Sequence, residues 1–208
     1  MGVVETIALT MGVGWAAGLN LYAAVAMLGI LGVTGNVDLP PSLEIVQDPL
    51  VIGAAVLMYF VEFFADKVPG VDTGWDAIHT FIRIPAGAVL AAGAIGDVSP
   101  AAHLAAGLLG GTLAAGAHAT KAGTRAAINL SPEPFTNWTA SLAEDALVIA
   151  GLWSALYHPW VFFAILAVFA AVAIWLLPRI WRGMKRLGRW IASRFRSDSD
   201  SQATGESG

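Results

Sequence analysis

The sequence contains no cysteine, and only 12% of its 208 residues are charged. The missing cysteine excludes disulfide frameworks, thiolate metal sites and cysteine nucleophiles. A soluble domain carries about 25% charged residues, so this chain has too few to cover a water-facing surface. The composition therefore excludes an ordinary cytosolic enzyme, a disordered chain and a nucleic-acid-binding module, and it favours an all-α protein that crosses a membrane several times.

Recognisable enzyme motifs are absent as well. The chain has no nucleophile elbow, no phosphate-binding loop and no dinucleotide fingerprint. We therefore expect no enzyme activity and no cofactor.

What the sequence does have is long apolar runs. A membrane-spanning helix needs about 20 mostly apolar residues. Six stretches meet this need, and we predict a transmembrane domain over residues 1–178. The six predicted spans are 6–33, 49–66, 75–96, 100–122, 140–157 and 160–177.

The basic residues predict the orientation of these spans. Seven of the 11 Lys and Arg residues lie between 179 and 196. Because short cytoplasmic segments are enriched in Lys and Arg, this segment is expected in the cytoplasm, and six crossings then place the N-terminus there too. The loops predicted on the opposite side, 34–48, 97–99 and 158–159, contain no Lys or Arg.

The segment after the last span has its own pattern. Apolar residues recur every three or four positions over 179–196, with basic residues between them. This spacing predicts an amphipathic helix that lies on the inner leaflet and binds anionic lipid, or one that only fixes the topology. Residues 197–208 are small, polar and acidic, and are predicted to be disordered.

A weak internal repeat relates the two halves of the chain. Residues 15–24 and 113–122 share four identical positions. A three-span repeat would give two inverted halves, about 1–98 and 99–178, as in many secondary transporters, whose sites lie where helices are interrupted. The matching candidates for interruption are Gly12, Gly14, Gly18 and Asn20 in span 1, and Gly110, Gly111, Gly116, His118 and Gly123 in span 4. Alternatively, the glycines only allow close helix packing.

Ionisable residues within membrane spans are functional candidates, because burying a charge in lipid is expensive. Those with acidic or imidazole groups are candidates for carrying a coupling proton or cation. They are Glu62, Asp66, Asp76, His79, Glu144 and Asp145.

A second set carries cationic, hydroxyl and amide groups and suits an anion. Arginine binds phosphate and carboxylate groups through its two-pronged guanidinium. The predicted substrate-binding residues are Asn20, Tyr22, Arg83, His118, Thr120, Lys121, Thr124, Arg125, Asn129 and Ser131. The two prolines of the segment Ser131–Phe135 exclude a regular helix there, and they indicate a stiff polar segment within 124–138 that either lies at the membrane edge or is re-entrant.

Three functions fit this pattern. The first is a small transporter or flippase for an anionic solute or lipid head group, working as a homo-oligomer, with or without proton coupling. The second is a cation or metal-ion channel that uses the carboxylates, although no HExxH or similar ligand spacing occurs. The third is a non-transporting scaffold, in which the charges only neutralise one another.

Three strings resemble a bacterial integral-membrane family, catalogued as domain of unknown function four-one-two-six. They are GLNLYAAVAMLGILG, YFVEFFADKVPGVDTGWDAIHTFIRIPAGA and HATKAGTRAAINLSPEPF. The resemblance covers about 15–157 and implies a multi-pass protein of the bacterial cytoplasmic membrane, but no function. It also implies that part of the charged set belongs to the family's pattern, namely Glu62, Asp66, Lys67, Asp76, His79, Arg83, Lys121, Arg125 and the SPEPF segment.

Overall fold

The computed structural model describes residues 2–68, 70–129 and 134–205. Within these ranges the chain is helical and has no strand, which confirms the predicted all-α class. A short 3₁₀-helix, Pro41–Gln47, accompanies six α-helices. These are α1 (Val3–Val33), α2 (Pro49–Ala65), α3 (Val71–Ala94), α4 (Pro100–Ile128), α5 (Pro134–Tyr157) and α6 (Pro159–Gly205).

Four described helical segments are long and apolar enough to cross a membrane, so the chain has the character of a multi-pass membrane protein. They are Val3–Val33, Val71–Ala94, Phe135–Tyr157 and Pro159–Gly183. A fifth is present if the 3₁₀-helix and α2, which meet at a bend of 65°, are counted as one span. The predicted count of six is thus not confirmed. The predicted span without a matching candidate is the fourth, 100–122, which lies in α4. The polar residues His118, Lys121 and Arg125 lower the mean hydropathy of that helix.

Capping residues set where two of the helices begin. The Asp48 carboxylate accepts a 2.7 Å hydrogen bond from the backbone N–H of Leu50, and Pro49 follows it at the first position of α2. The Ser99 hydroxyl oxygen accepts from the N–H of Ala102 in the same way, with Pro100 at the start of α4. A capping side chain followed by proline is a strong helix start, because proline has no N–H to leave unpaired.

Helix α1 lies at the centre of the bundle, and glycines let its neighbours approach closely. A Cβ atom at Gly14 would collide with the backbone of Gly110 in α4, and one at Gly18 would collide with Ala114. A Cβ atom at Gly110 would in turn meet the carbonyl of Gly87 in α3. These glycines therefore serve close packing. The expected interruption of α4 is wrong, because α4 is helical throughout Pro100–Ile128.

The expected interruption of α1 is present at Asn20. Its backbone leaves the helical region, with φ −148° and ψ 95°. The Asn20 Oδ1 atom accepts a 2.9 Å hydrogen bond from the N–H of Ala23, three residues on. Asn20 thus caps the second half of α1 as a helix N-cap does.

The C-terminal part differs from the prediction. We expected a separate amphipathic helix over 179–196 and disorder over 197–208, but α6 runs unbroken from Pro159 to Gly205, and 206–208 lie outside the described residues. Pro178 lies inside α6. A proline removes one backbone hydrogen bond, and here the helical periodicity continues on both sides of it.

Candidate functional site

Seven charged side chains from four helices meet at one end of the bundle. The α2–α3 turn and the C-terminus of α4 lie together there, since the Asn129 side-chain amide donates a 2.9 Å hydrogen bond to Asp72 Oδ1. The opposite end carries the C-terminal ends of α1 and α5, where the Tyr157 hydroxyl donates to the carbonyl of Asn36. We call the seven residues the ionic cluster: Glu62, Asp66, Asp76, Arg83, Lys121, Arg125 and Glu144.

Lys121 lies at the centre of the ionic cluster. Its Nζ donates hydrogen bonds to Asp66 Oδ2 at 2.8 Å and to Glu62 Oε1 at 3.0 Å. Oxygens of Asp76 and Glu144 both lie 3.8 Å from the same Nζ. One ammonium group therefore contacts four carboxylates.

Arg83 connects the ionic cluster to the break in α1. Its Nη2 donates a 2.6 Å hydrogen bond to Glu62 Oε1, and its Nη1 lies 3.4 Å from Asp76 Oδ1. Nη1 also approaches the backbone carbonyl of Gly18 at 3.4 Å, just before the break at Asn20. A helix end leaves carbonyl groups without partners, and the guanidinium interacts favourably with them.

Arg125 closes the other side of the ionic cluster. Its Nη2 donates a 2.7 Å hydrogen bond to Glu144 Oε2. Its Nη1 donates to the carbonyl oxygens of Asp66, at 2.8 Å, and Asn137, at 3.2 Å. Arg125 therefore joins α2, α4 and α5.

The cluster is sealed except at one point. Six of its side chains are 4% exposed or less, whereas that of Glu144 is 15% exposed. The Glu144–Arg125 pair is therefore the part of the cluster that surrounding solvent reaches first.

The charges of the cluster do not balance. Four carboxylates face three cations, which leaves one negative charge if all are ionised. Among the described residues, neither oxygen of Asp76 accepts a hydrogen bond, nor does Glu62 Oε2 or Asp66 Oδ1. Since an uncompensated buried charge is costly, protonation of one of these carboxylates would stabilise the cluster.

Asp145 belongs to a neighbouring polar group rather than to the ionic cluster. Its Oδ1 accepts a 3.0 Å hydrogen bond from Asn20 Nδ2, and its Oδ2 accepts one from the Tyr59 hydroxyl at 3.3 Å. The break in α1 is thereby tied to α5.

The hydrogen bonds of the two predicted histidines define their tautomers. His79 Nδ1 faces the Trp75 carbonyl at 2.9 Å and therefore carries the hydrogen, so Nε2 accepts from the Tyr22 hydroxyl at 3.1 Å. The Thr80 hydroxyl donates to a backbone carbonyl and therefore accepts from His118 Nε2 at 2.7 Å.

The remaining nitrogen of His118, Nδ1, faces Arg83 Nη1 at 3.3 Å. A proton on His118 Nδ1 would oppose the guanidinium. A second proton on His79 would sit on Nε2, and the Tyr22 hydroxyl would then accept a hydrogen bond from that nitrogen instead of donating one. Of the two imidazoles, His79 thus has the surroundings that better accommodate a second proton.

Three described residues of the predicted set contribute little to the ionic cluster. The Thr120 hydroxyl donates to the carbonyl of Gly116 in its own helix, and Thr124 is only partly buried. Asn129 contacts Asp72 instead of a cation. Ser131 lies outside the described residues, as does most of the proline-containing segment, so the expected re-entrant segment stays a prediction.

Sequence reasoning missed three buried polar residues beside the cluster, Asp72, Asn137 and Ser141, which contact Asn129 and Lys67. Asp72, fully buried, accepts from Asn129, and Asn129 Oδ1 accepts a 3.0 Å hydrogen bond from Asn137. Lys67, also buried, donates to Ser141 at 3.3 Å. The predicted spans began at 75 and 140, whereas α3 begins at Val71 and α5 at Pro134, so Asp72 and Asn137 fell outside the predicted helices.

Metal ligation finds no support in this geometry. Within the described ranges, no three His, Asp or Glu side chains are arranged to hold a metal ion. The carboxylates of the cluster already face Lys121, Arg83 or Arg125.

Comparison with known proteins gives a family and nothing more specific. The family model described as "Domain of unknown function (DUF4126)" matches residues 7–179. This confirms the resemblance noted in the sequence and extends it at both ends. No curated protein and no solved structure matches the chain.

Proposed function

The chain belongs to the DUF4126 family, and we propose that it is a small proton-coupled membrane transporter for an anionic solute or lipid head group. One observation carries the proposal. Four carboxylates surround Lys121 while three cations share them, all in a buried cluster that is reached first at Glu144.

The coupling follows from competition for the cations. Arg83, Lys121 and Arg125 are each held by carboxylates, so an entering anion must displace a carboxylate. The cluster already has one negative charge in excess. Adding a monovalent anion would therefore bury two uncompensated negative charges. The anion can therefore enter only when carboxylates take up protons, which ties anion movement to proton movement.

Arg125 is the expected first contact of the anion. It is paired with Glu144, the most exposed member of the cluster. Protonation of Glu144 would release the Arg125 guanidinium, whose two-pronged geometry suits phosphate and carboxylate groups.

The proposal includes six crossings in two inverted halves. With 29 residues, α4 is about 43 Å long, enough to cross a bilayer despite its polar face. The repeat aligns Asn20, at the break in α1, with His118 in α4. We also propose that both termini and the ionic cluster are cytoplasmic, that 179–196 contacts anionic lipid, and that the protein works as a homo-oligomer.

The test measures the flux of an anion and of protons into proteoliposomes that contain the protein. We expect an inward proton gradient to drive uptake of inorganic phosphate or succinate, with co-entry of protons read by a lumenal pH dye. Arg125→Ala should abolish both fluxes, whereas the control Arg179→Ala, at an exposed cation, should leave them unchanged. A stable, monodisperse Arg125→Ala protein with normal flux would overturn the proposal.

The surplus carboxylate favours a second candidate, a proton or cation channel. Asp76 accepts no hydrogen bond from a described residue although it is almost fully buried. A channel would let protons enter without any anion, and Asp76→Asn would stop that entry. Absence of both fluxes would favour the scaffold.

A further inference from the structure

An apolar groove opens on the side of the bundle between α1, α2 and α3. Its volume is about 500 Å³. Leu50 and Val89 on its rim are 83% and 70% exposed, so the groove opens onto the outer surface of the helices. Of the described residues that line it, Tyr22 alone carries a hydroxyl group.

The inner end of the groove adjoins the ionic cluster. Met58 lines the groove one helical turn before Glu62 on α2, and Ala86 lines it about one turn after Arg83 on α3. Tyr22, at the same end, donates its hydroxyl hydrogen to His79. Tyr22 and His79 therefore lie at the end of the groove that is nearest the buried cations.

We propose that this groove holds the hydrocarbon chain of a single-chain anionic amphiphile, whose head group points past Tyr22 toward Arg83 and Lys121. The proposal rests on the proposed function and names its substrate class. Water would find almost no polar partner in the groove, so in a membrane a hydrocarbon chain fills it. Arg83 and Lys121 are paired with carboxylates, so they favour a negative head group once those carboxylates take up protons, as in the proposed function.

The molecule contains its own control site. A second apolar groove, of about 650 Å³, lies between α4 and α6 and is lined by Ala119, Ala122 and Ile180 among others. It is larger than the first. Neither lining includes a member of the ionic cluster, but the first includes Tyr22, whose hydroxyl contacts His79, and the second has no such contact among its lining residues. A chain that binds merely because a groove is apolar should occupy both.

The experiment uses a single-chain alkyl phosphate with a photoactivatable diazirine in mid-chain. The full-length protein in nanodiscs of zwitterionic lipid is labelled, and the modified peptides are identified by mass spectrometry. We expect labelling of the groove between α1, α2 and α3, suppressed by unlabelled alkyl phosphate but not by the alcohol of equal chain length. Equal labelling of both grooves, or equal competition by the alcohol, would overturn the inference.

Matched variants sharpen the test. Ala54 and Ala119 are exposed residues that line the first and second groove, respectively. Ala54→Phe should remove the competed fraction of labelling, and Ala119→Phe should leave it intact. Unchanged labelling in Ala54→Phe would also contradict the inference.

The two proposals fail separately. If phosphate or succinate flux depends on Arg125 but alkyl phosphate labelling is unspecific, the transport proposal stands and the amphiphile inference falls. If labelling is specific but Arg125→Ala leaves every flux unchanged, the groove is a lipid site and the transport proposal falls.

Discussion

Asn20 and Asp145 are joined by a 3.0 Å hydrogen bond between the side-chain amide and the carboxylate. Asn20 also caps the second half of α1 through its Oδ1. One side chain therefore both interrupts the central helix and ties the interruption to α5. In transporters such breaks lie beside the transported ion.

Asn20→Ala tests the structural part of this arrangement. Loss of the cap costs about 1 kcal/mol, and leaving buried Asp145 without its amide donor costs a further ~1–3 kcal/mol. We expect a lower melting temperature in detergent. Asn36→Ala, at an exposed asparagine near the end of α1, is the control and should change it little. Equal melting temperatures for both variants would contradict this role.

Glu144→Gln tests the coupling. Glutamine still accepts a hydrogen bond from Arg125 but cannot take up a proton. We expect phosphate uptake in proteoliposomes to lose its dependence on the proton gradient while the protein stays folded. Glu44→Gln removes an exposed carboxylate of the 3₁₀-helix and should leave that dependence intact. Retained coupling in Glu144→Gln would exclude Glu144 as a proton carrier.

Lys121→Met tests the charge balance of the ionic cluster. Four carboxylates would then face two cations, and removing one partner of a buried ion pair costs roughly 3–5 kcal/mol. Because protonation relieves the excess negative charge, this variant should gain stability as pH falls. Adding Asp66→Asn removes one negative charge and should restore part of the melting temperature at neutral pH. No rescue in the double variant would show that charge is not the cause.

Substitutions at two glycines of α4, one packed against α3 and one open, test the role of close helix packing. A Cβ atom at Gly110 would meet Ala91 and the carbonyl of Gly87, whereas one at Gly116 would meet nothing within 4 Å. Gly110→Ala should therefore destabilise the protein by about 1–3 kcal/mol through overpacking. Gly116→Ala should stabilise α4 by about 0.5–1 kcal/mol, since alanine is the better helix former. Opposite shifts in melting temperature are the expected readout.

The absence of cysteine makes the orientation easy to test. Single substitutions Gly2→Cys and Ser99→Cys place a thiol before α1 and at the start of α4. With six crossings, an impermeant maleimide added outside intact cells should label Ser99→Cys. It should label Gly2→Cys only after the membrane has been permeabilised. Labelling of both from outside would contradict the proposed topology.

The sequence by itself determined the class of the protein. Few charges and long apolar runs leave a helical membrane protein as the stable form, since buried backbone groups must be paired within each helix. The three strings identified the family. The cost of isolated charge in lipid singled out Glu62, Arg83, Lys121 and their partners before any contact was known.

Only the tertiary structure decided how these charges are shared. Lys121 and Asp66 are 55 positions apart, and no spacing rule shows that one ammonium faces four carboxylates. Periodicity could not show that Gly110 packs against α1 and α3 while Asn20 breaks a helix, because both residues are helix-weakening in isolation. Charge sharing and close approach depend on which helices are neighbours, and that is decided by packing.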